Sequence, residues 1–180
     1  MTVLTRNPEN LDLLQSTKFR LVFSRLPGTT FFCQSINLPG VSLTEVPRYT
    51  PFVDLFVPGE KIVYDTLNIN FLVDEQLQVW EQLHDWIRAM TFPKEFIEYR
   101  NMDQLSQTNA YRKNISLPVQ YTDAILSVHS NKNNPTMRIH FKDVFPTTLT
   151  AITMNAADTA DIIITSDATF RFSYYEIERL

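Results

Sequence analysis

The spacing of the hydrophobic residues changes once, abruptly, in the first half of the chain. Apolar residues alternate with polar ones through much of residues 62–73, which predicts a strand with one buried face. After Asp74 they recur every third or fourth position, which predicts an amphipathic helix over about residues 75–90. Asp74 suits the N-cap, because its carboxylate can accept a hydrogen bond from a free backbone N–H. The residues predicted to anchor the helix in the core are Trp80, Leu83, Trp86 and Ile87.

Other segments predict a protein built mainly of antiparallel strands. The predicted strands are residues 18–24, 31–38, 41–46, 124–130, 136–142, 149–154 and 165–177. Pro39 and Gly40 predict a turn between two of them, and residues 145–148 predict an interruption between two others. With about eight strands, one substantial helix and no strand–helix alternation, the fold class is α+β, a sandwich or barrel with a flanking helix.

Residues 46–61 combine prolines with an apolar run. Proline cannot donate to a sheet ladder, so the segment is confined to an edge, a bulge or a loop. A bare apolar edge favours aggregation, unless it is the strand by which a regular assembly docks. An ordinary hairpin folded back on its own core is an equally good interpretation of the pattern. The candidate contact residues are Pro47, Tyr49, Pro51, Phe52, Val53, Leu55, Phe56, Val57 and Pro58.

Composition indicates one soluble domain. A chain of 180 residues that is 44% apolar can bury a full core, so residues 1–180 are predicted to be a single domain. A net charge of −4 argues against a protein that grips nucleic acid by its phosphates, because that binding needs a basic surface. No segment reaches the roughly 20 apolar residues of a membrane span. Cys33 lies in an apolar run, as a buried thiol does, so we expect synthesis in a reducing cytoplasm.

Residues able to carry chemistry are few and dispersed. His84 falls on the predicted helix, while His129 and His140 fall on two arms of a predicted hairpin, so we do not expect a metal site. Asp74 and Glu75 are adjacent in a predicted helix cap, where their side chains point in different directions. The signatures of serine hydrolases, zinc proteases and phosphate-binding loops do not occur in the sequence. The sequence therefore predicts no catalytic residues, no metal, no cofactor and no enzyme activity.

Several short motifs, taken in order, resemble the tail-tube protein family of contractile-tailed bacteriophages and related injection systems. The motifs are the strand from Phe19 to Phe23, the run from Phe32 to Val41 that contains Leu38-Pro39-Gly40, the run Val57-Pro58-Gly59-Glu60-Lys61, Tyr64-Asp65-Thr66-Leu67, Phe71-Leu72-Val73-Asp74-Glu75, the pair Trp80 and Trp86, and the aromatic strand that ends near Tyr175-Glu176. The similarity covers most of residues 18–90 and the last strand, and it fades between residues 92 and 161.

The resemblance implies a fold and a role. The fold would be a barrel-like pair of antiparallel sheets with a flanking helix. Copies would form hexameric rings that stack into a hollow tube, with residues 46–61 as a protruding loop that reaches a neighbouring subunit or ring. The implied partners are the chain itself, the tail sheath protein, baseplate proteins and the tail terminator, with genomic DNA passing through an acidic or neutral lumen without specific binding. The implied location is the tail of the virion, after synthesis in the cytoplasm of a bacterial host.

Three alternatives remain open at this point. Residues 98–114 form a polar insertion that does not align with the family, and baseplate proteins that start the tube and terminators that cap it differ from the repeating subunit mainly in such insertions. The repeating subunit is favoured, because 180 residues leave little room for added domains. From a different class, a monomeric β-barrel module could bind a ligand in a pocket lined by Trp80, Trp86 and Phe52. A hydrolase with a site hidden in non-local geometry would need Asp74 or His84.

Overall fold

The computed structural model of the chain describes residues 13–24, 26, 28–91, 97, 120–155 and 163–180. These residues form, in order, β1 (Phe19–Phe23), α1 (Thr29–Phe32), β2 (Cys33–Ile36), β3 (Val41–Arg48), β4 (Leu55–Tyr64), β5 (Leu67–Leu72), α2 (Gln78–Thr91), β6 (Thr122–His129), β7 (Pro135–Leu149), β8 (Thr165–Arg171) and β9 (Tyr174–Arg179). This arrangement confirms the predicted α+β class dominated by antiparallel strands. The predicted insertion at residues 98–114 and most of the predicted N-terminal arm (1–17) lie outside the described residues.

Seven strands form one continuous sheet that is folded into two layers. We call these two layers the first sheet and the second sheet. The first sheet has the order β1-β6-β7-β9, and the second sheet, which contains the end of β7, has the order β7-β8-β5-β2. Each of these pairs is antiparallel. In the described part of the chain β1 and β2 do not pair with each other, so the two sheets form an open sandwich.

Strand β7 connects the two sheets. Its first part pairs with β6 and β9, and its last part, from Phe145 to Leu149, pairs with β8. Asp143, whose φ is 56°, lies where β7 passes from the first sheet to the second. The pairing of β7 with β6 shifts register at the same place. Such irregularities bend a strand. The predicted interruption at residues 145–148 and the predicted strand at 149–154 are therefore wrong. Pro146 is tolerated because this end of β7 has one described neighbour, β8, and the missing N–H can face away from it.

The core lies between the two sheets and helix α2. Phe23 of β1 and Phe170 of β8 are buried, with ring centroids 5.0 Å apart, so this contact joins the first sheet to the second. Trp86 of α2 packs on the same Phe170 ring at 6.4 Å. Burial of one large apolar side chain stabilises the fold by about 1.5 to 3 kcal/mol. Helix α2 is thus held to the sandwich by its apolar face.

Helix α2 begins three residues later than predicted. Leu77 has a φ of 55° and its N–H bonds to the carbonyl of Asp74 at 2.9 Å, so residues 74–77 form a turn before the helix. The Asp74 carboxylate still accepts a hydrogen bond from the backbone N–H of Gln78, at 3.2 Å. The predicted capping contact therefore exists, but it crosses a turn that hydrophobic spacing could not reveal.

Two segments predicted as single strands are each broken once. Residues 62–73 divide at Asp65 and Thr66, between β4 and β5. Residues 165–177 divide at Phe172 and Ser173, where Ser173 and Tyr174 both lie opposite Lys142. The extra residue reverses the faces beyond it, since successive side chains of a strand point to opposite sides. Tyr174, which an unbroken strand would place on the same face as the buried Phe170, is exposed.

The start of the predicted second strand is also different. Residues Thr29–Phe32 form a turn of helix, and the strand that follows is limited to Cys33–Ile36. The buried Thr29 hydroxyl donates to the carbonyl of Leu26 at 2.7 Å, which favours the turn over an extended chain. Neither of the two helices within the described residues is long and apolar enough to cross a membrane.

Candidate assembly surface

The segment predicted to dock is the outer part of one long hairpin. The pair Ile36–Ile69 of the β2–β5 ladder and the pair Val41–Tyr64 of the β3–β4 ladder share one register. Between them the N–H of Asp65 bonds to the carbonyl of Gly40 at 3.0 Å. The predicted turn at Pro39 and Gly40 is therefore wrong, because the chain continues outward there. We call β3, residues 49–54 and β4 together the β3–β4 hairpin.

The β3–β4 hairpin buries very little of its apolar surface. Phe52, in the loop between the strands, is 98% exposed, and Tyr49 is 77% exposed. All nine predicted contact residues, Pro47, Tyr49, Pro51, Phe52, Val53, Leu55, Phe56, Val57 and Pro58, are exposed. A folded chain rarely leaves a contiguous apolar surface open to water unless something binds there.

Both faces of the hairpin are apolar. Val46 pairs with Val57, and the next pair, Pro47 with Phe56, lies on the opposite face because side chains alternate along a strand. Within the described residues, β3 and β4 pair with each other and with no third strand. Two faces and two edges are thus available to another chain. A two-stranded hairpin of this kind has little stability without such cover.

A close backbone approach shapes the middle of the hairpin. The register shifts between the pairs Leu43–Ile62 and Glu45–Pro58, which leaves Thr44 facing Gly59. A side chain at Gly59 would place its Cβ 2.4 Å from Thr44 Oγ1 and 2.6 Å from the Thr44 carbonyl oxygen. The Thr44 hydroxyl also donates to the carbonyl of Lys61 at 3.1 Å. Glycine is therefore required at position 59 for this irregular pairing.

An aromatic cluster anchors the base of the hairpin. Tyr64, the last residue of β4, packs on Phe172 and Tyr175 at centroid distances of 5.5 and 5.2 Å. Phe141 contacts the same two rings from the core side. The hairpin is thus fixed at its root while its outer residues remain exposed. The contacts of Tyr64 with Phe172 and Tyr175 therefore orient the hairpin relative to the sandwich.

Sequence reasoning missed part of this surface. Val41, Leu43, Ile62 and Val63 near the base are also exposed, and they are not among the nine candidate contact residues. Their alternation is the same as that of a core strand, so the pattern alone could not separate them. The local signal nearest to them is Gly59, which interrupts the apolar segment and lies within β4 opposite Thr44.

The predicted helix anchors lie in the core or at its margin. Leu83 and Trp86 are buried, while Trp80 and Ile87 are half-buried. Trp86 Nε1 donates to the carbonyl of Gln120 at 3.1 Å, and Trp80 Nε1 donates to the carbonyl of Thr150 at 3.3 Å. Both indoles therefore have structural partners. Because Trp86 is interior and Phe52 is at the tip of the hairpin, these residues do not line a common ligand pocket.

The candidate chemical residues do not come together. His84 stacks on Trp80 with 5.4 Å between ring centroids, and His140 Nε2 lies 3.2 Å from Glu178 Oε2 on the surface of the first sheet. No group of three potential metal ligands occurs among the described residues. Burial raises the pKa of the Cys33 thiol to about 11, so the thiol stays protonated near neutral pH. The surface that distinguishes this molecule is therefore its exposed hairpin.

Comparison of the sequence with known proteins finds one family and one similar protein. Residues 24–178 match the family model described as phage tail tube protein. The chain is 24% identical over 153 residues to the tail tube terminator protein of Enterobacteria phage T4, a match that covers 83% of this chain and 78% of that protein.

Two solved chains of the anti-feeding prophage have the same fold. One is a chain of the 6-fold symmetrised baseplate of the anti-feeding prophage, with a TM-score of 0.58, 11% identity and coverage of 93% of this chain and 96% of that one. Another is a chain of the tube terminating cap of the anti-feeding prophage, with a TM-score of 0.58, 12% identity and coverage of 100% of both chains. At such low identity the similarity establishes the fold alone.

Proposed function

This chain belongs to the phage tail tube protein family, and we propose that it closes into rings with copies of itself and docks through the β3–β4 hairpin. Membership of the family makes it a tail tube or tube terminator protein of a contractile system, with a structural role in the tail of the virion. We expect six copies in a ring, the symmetry at which the similar baseplate of the anti-feeding prophage was solved.

The exposure of the hairpin supports this proposal. An isolated monomer gains nothing from holding Phe52, Phe56 and Val57 in water, whereas a neighbouring subunit could bury them. Contacts between rings are heterologous, so the surface that accepts the hairpin lies elsewhere on the fold. The partner of the hairpin is thus another tube-fold subunit in the adjacent ring or in the same ring.

Polar substitution of the hairpin tests the docking role. We expect the variant Phe52→Ser/Phe56→Ser to keep the thermal midpoint of the wild type, because both side chains are exposed, and to lose assembly. The matched control is Ile163→Ser, which changes another exposed apolar residue outside the hairpin. Negative-stain microscopy and sedimentation velocity measure the assemblies. Rings or tubes from the double variant at wild-type concentrations would refute docking through the hairpin.

The place of the ring within the tail is the finer question. The T4 relative is a terminator, and its match spans 83% of this chain, which favours a ring at the end of the tube. We therefore propose the terminator position first and retain the repeating tube subunit as the second candidate. A terminator must bind one ring and stop growth, whereas a repeating subunit must present complementary surfaces on both sides.

Purified protein separates the two positions. A terminator is expected to form single rings at all concentrations, and a repeating subunit is expected to form tubes whose length grows with concentration. Negative-stain microscopy across a hundredfold dilution series, roughly the range in which weak stacking contacts dissociate, shows which occurs. Monomers alone at the highest concentration would overturn both candidates.

Further roles follow from the proposed position. The sheath, the baseplate proteins and the other tube proteins of a contractile tail would be its partners, and genomic DNA would pass through the ring. A chain with a net charge of −4 offers phosphates no general attraction, which suits a channel through which DNA slides. Catalysis plays no part in this proposal.

A further inference from the structure

Prolines interrupt both edges of the β3–β4 hairpin in its outer half, which consists of residues 45–48 and 55–58. We propose that Pro47 and Pro58 prevent another strand from adding to these edges, so that the outer half docks through the side chains of its two faces. The surface that receives it would then be an apolar surface of another subunit, not an open sheet edge. The docking rests on the proposed function, whereas the protection of the edges can be measured without it.

The register of the hairpin gives both prolines the same kind of position. Three consecutive cross-strand pairs are Glu45–Pro58, Val46–Val57 and Pro47–Phe56. In an antiparallel ladder, pairs that exchange two hydrogen bonds alternate with pairs that exchange none. The two proline pairs therefore belong to one class, and the pair between them belongs to the other.

The proline pairs belong to the class that does not bond inward. A hydrogen-bonded pair needs an N–H group on both residues, and proline has none. If Val46–Val57 and Arg48–Leu55 are the bonded pairs, all four of their N–H groups donate within the ladder. The other phase would leave only two donors in the same stretch. Pro47 and Pro58 therefore face outward, one on each edge of the hairpin.

The β4 edge offers an incoming strand few donors. Phe56 directs its N–H outward, but Pro58 at the next outward position has none. Beyond Pro58, the register shift opposite Thr44 interrupts the edge over residues 59–61. The Thr44 hydroxyl accepts a hydrogen bond from the N–H of Lys61 at 3.4 Å and donates to its carbonyl at 3.1 Å. The backbone groups released by the bulge are thus satisfied within the hairpin, and bulges and prolines both hinder pairing at an edge.

The β3 edge is interrupted before the tip of the hairpin. The N–H of Asp65 bonds to the carbonyl of Gly40 directly opposite, so residue 40 bonds inward and residues 41, 43 and 45 face outward. These three N–H groups lie next to the root of the hairpin. Pro47 occupies the following outward position and ends the run. A strand added to β3 could therefore not extend to the exposed apolar tip.

An exposed apolar hairpin needs such protection until it docks. Val46, Phe56 and Val57 are all exposed, and segments of this kind pair with each other through their backbones and aggregate. Backbone hydrogen bonds provide affinity with little selection between partners, whereas side chains that fit a surface provide specificity. By removing outward N–H groups, the prolines disfavour backbone pairing and leave the apolar side chains free to bind.

The side chains of the outer half indicate the chemistry of the receiving surface. One face carries Val46 and Val57, and the opposite face carries Pro47 and Phe56. The charged residues of residues 45–48 and 55–58 are Glu45 and Arg48, which lie at the two ends of the outer part of β3. An apolar centre between charged ends fits a receiving surface that is apolar in the middle and polar at its rim.

Restoring the missing N–H groups tests the role of the prolines. The variant Pro47→Val/Pro58→Val keeps apolar side chains and adds one outward donor to each edge. We expect the concentration for half-assembly of rings or tubes to stay within about twofold of wild type, and thioflavin T-positive aggregates to form about tenfold faster. The matched control is Pro51→Val, which changes an exposed proline in the loop between the strands and adds no donor to either strand. Sedimentation velocity and thioflavin T fluorescence measure the two quantities.

Two results would overturn the proposal. A fall of about tenfold in the concentration for half-assembly of the double variant would show that docking uses the edges, since the added donors would strengthen it. Aggregation no faster than that of Pro51→Val would show that the prolines do not protect the edges. Wild-type protein that stays monomeric would overturn the proposed function, and the aggregation rates would still decide the protection of the edges. Circular dichroism of each variant checks that the fold is retained.

Removing a further donor provides the converse test. Glu45→Pro removes an outward N–H from the β3 edge, and Glu45→Ala is the control for the loss of the side chain. We expect both variants to assemble within about threefold of each other, because docking through the faces does not use this N–H. Val46→Pro removes an inward donor and should abolish assembly, because the ladder of the hairpin loses a bond. Loss of assembly in Glu45→Pro alone, with the fold retained, would refute docking through the faces.

Discussion

The sandwich and the β3–β4 hairpin use similar residues to opposite effect. In the sandwich, alternating apolar residues such as Leu67, Ile69 and Phe71 are buried completely. In the hairpin, alternating apolar residues such as Leu43 and Ile62 remain about half exposed. The comparison shows that an apolar strand pattern specifies a face that must be covered, and does not specify which chain covers it.

The physical difference is the number of layers. The first and second sheets face each other and share a core, so each strand buries one side against the other sheet. The hairpin leaves the sandwich beyond Gly40 and Asp65, where no second layer is present in the described residues. Its strands are stabilised by their mutual ladder and by the aromatic cluster at the base. Substitutions in the two regions should therefore act on different measurements.

The largest expected effect is on the core. Trp86→Ala removes a buried indole that packs on Phe170, and we expect the free energy of unfolding to fall by about 3 to 5 kcal/mol. Trp80→Ala is the matched control on the same helix, and its half-buried ring should cost much less. Urea denaturation followed by circular dichroism measures both. Equal losses would contradict the assignment of Trp86 as the main anchor.

A smaller effect is expected where β7 changes sheets. Asp143 has a φ of 56°, which β-branched residues disfavour, so Asp143→Val should lower the free energy of unfolding by about 1 to 2 kcal/mol. Asp143→Asn should be nearly neutral, since asparagine tolerates this conformation. Thermal unfolding compares the two variants. Equal stability of Val and Asn would show that the bend does not depend on this backbone conformation.

A substitution in the β3–β4 hairpin is expected to change assembly more than stability. Gly59→Ala places a Cβ against the Thr44 backbone, so the register shift of the hairpin should be lost. We expect the thermal midpoint of the sandwich to change little and the yield of rings or tubes to drop severalfold. Gly28→Ala is the control, because its Cβ would meet the side chain of Val79 at 3.1 Å and no backbone. A cooperative loss of the whole fold in Gly59→Ala would contradict the independence of the two regions.

The smallest effect is a pH dependence on the first sheet. The hydrogen bond from Lys142 Nζ to Asp123 Oδ2, at 2.9 Å, raises the pKa of Lys142 above its ordinary value. The pKa of Lys142 is higher in the folded state than in the unfolded state, where it is near 10.4, so protonated Lys142 stabilises the folded protein at pH values below 10.4. This stabilisation is lost as the pH rises through the pKa that Lys142 has in the folded state. Both side chains are partly exposed, so solvent screens the pair.

Lys142→Met should therefore reduce the loss of stability that the wild type shows as the pH rises above about 10. Lys132→Met, in the turn between β6 and β7, is the control for removal of a lysine that forms no ion pair with a described residue. Differences in urea midpoint between each variant and wild type at several pH values measure the effect. Identical alkaline profiles for the two variants would exclude a role of the Asp123 bond.

Prediction from sequence succeeded where a pattern was local. The strand 18–24, the hairpin whose His140 faces Ile125, and the apolar face of α2 follow from spacing within one element, because side-chain direction repeats every 2 or 3.6 residues. It failed where a single residue changed direction. Asp143, Leu77 and Ser173 each bend or shift the chain, and none of them alters the hydrophobic pattern around it.

The resemblance of short motifs was sufficient to predict the family, and the match over residues 24–178 confirms it. The role of residues 46–61 in docking stays a prediction. The sequence shows a proline-rich apolar segment there and does not show that this segment continues from β2 and β5. That continuity depends on Asp65 bonding to Gly40 across the sheet, which is a contact between residues distant in sequence.

The sequence by itself determined the composition of the faces: which strands carry an apolar side, where the helix lies, and that residues 46–61 hold apolar side chains among prolines. Only the tertiary structure decided which of those faces are covered. Burial depends on the layer that lies opposite, and the opposite layer is brought there by strands far away in the chain. Strand pairing likewise places Pro47 and Pro58 on opposite edges of one hairpin, a relation that no local pattern contains.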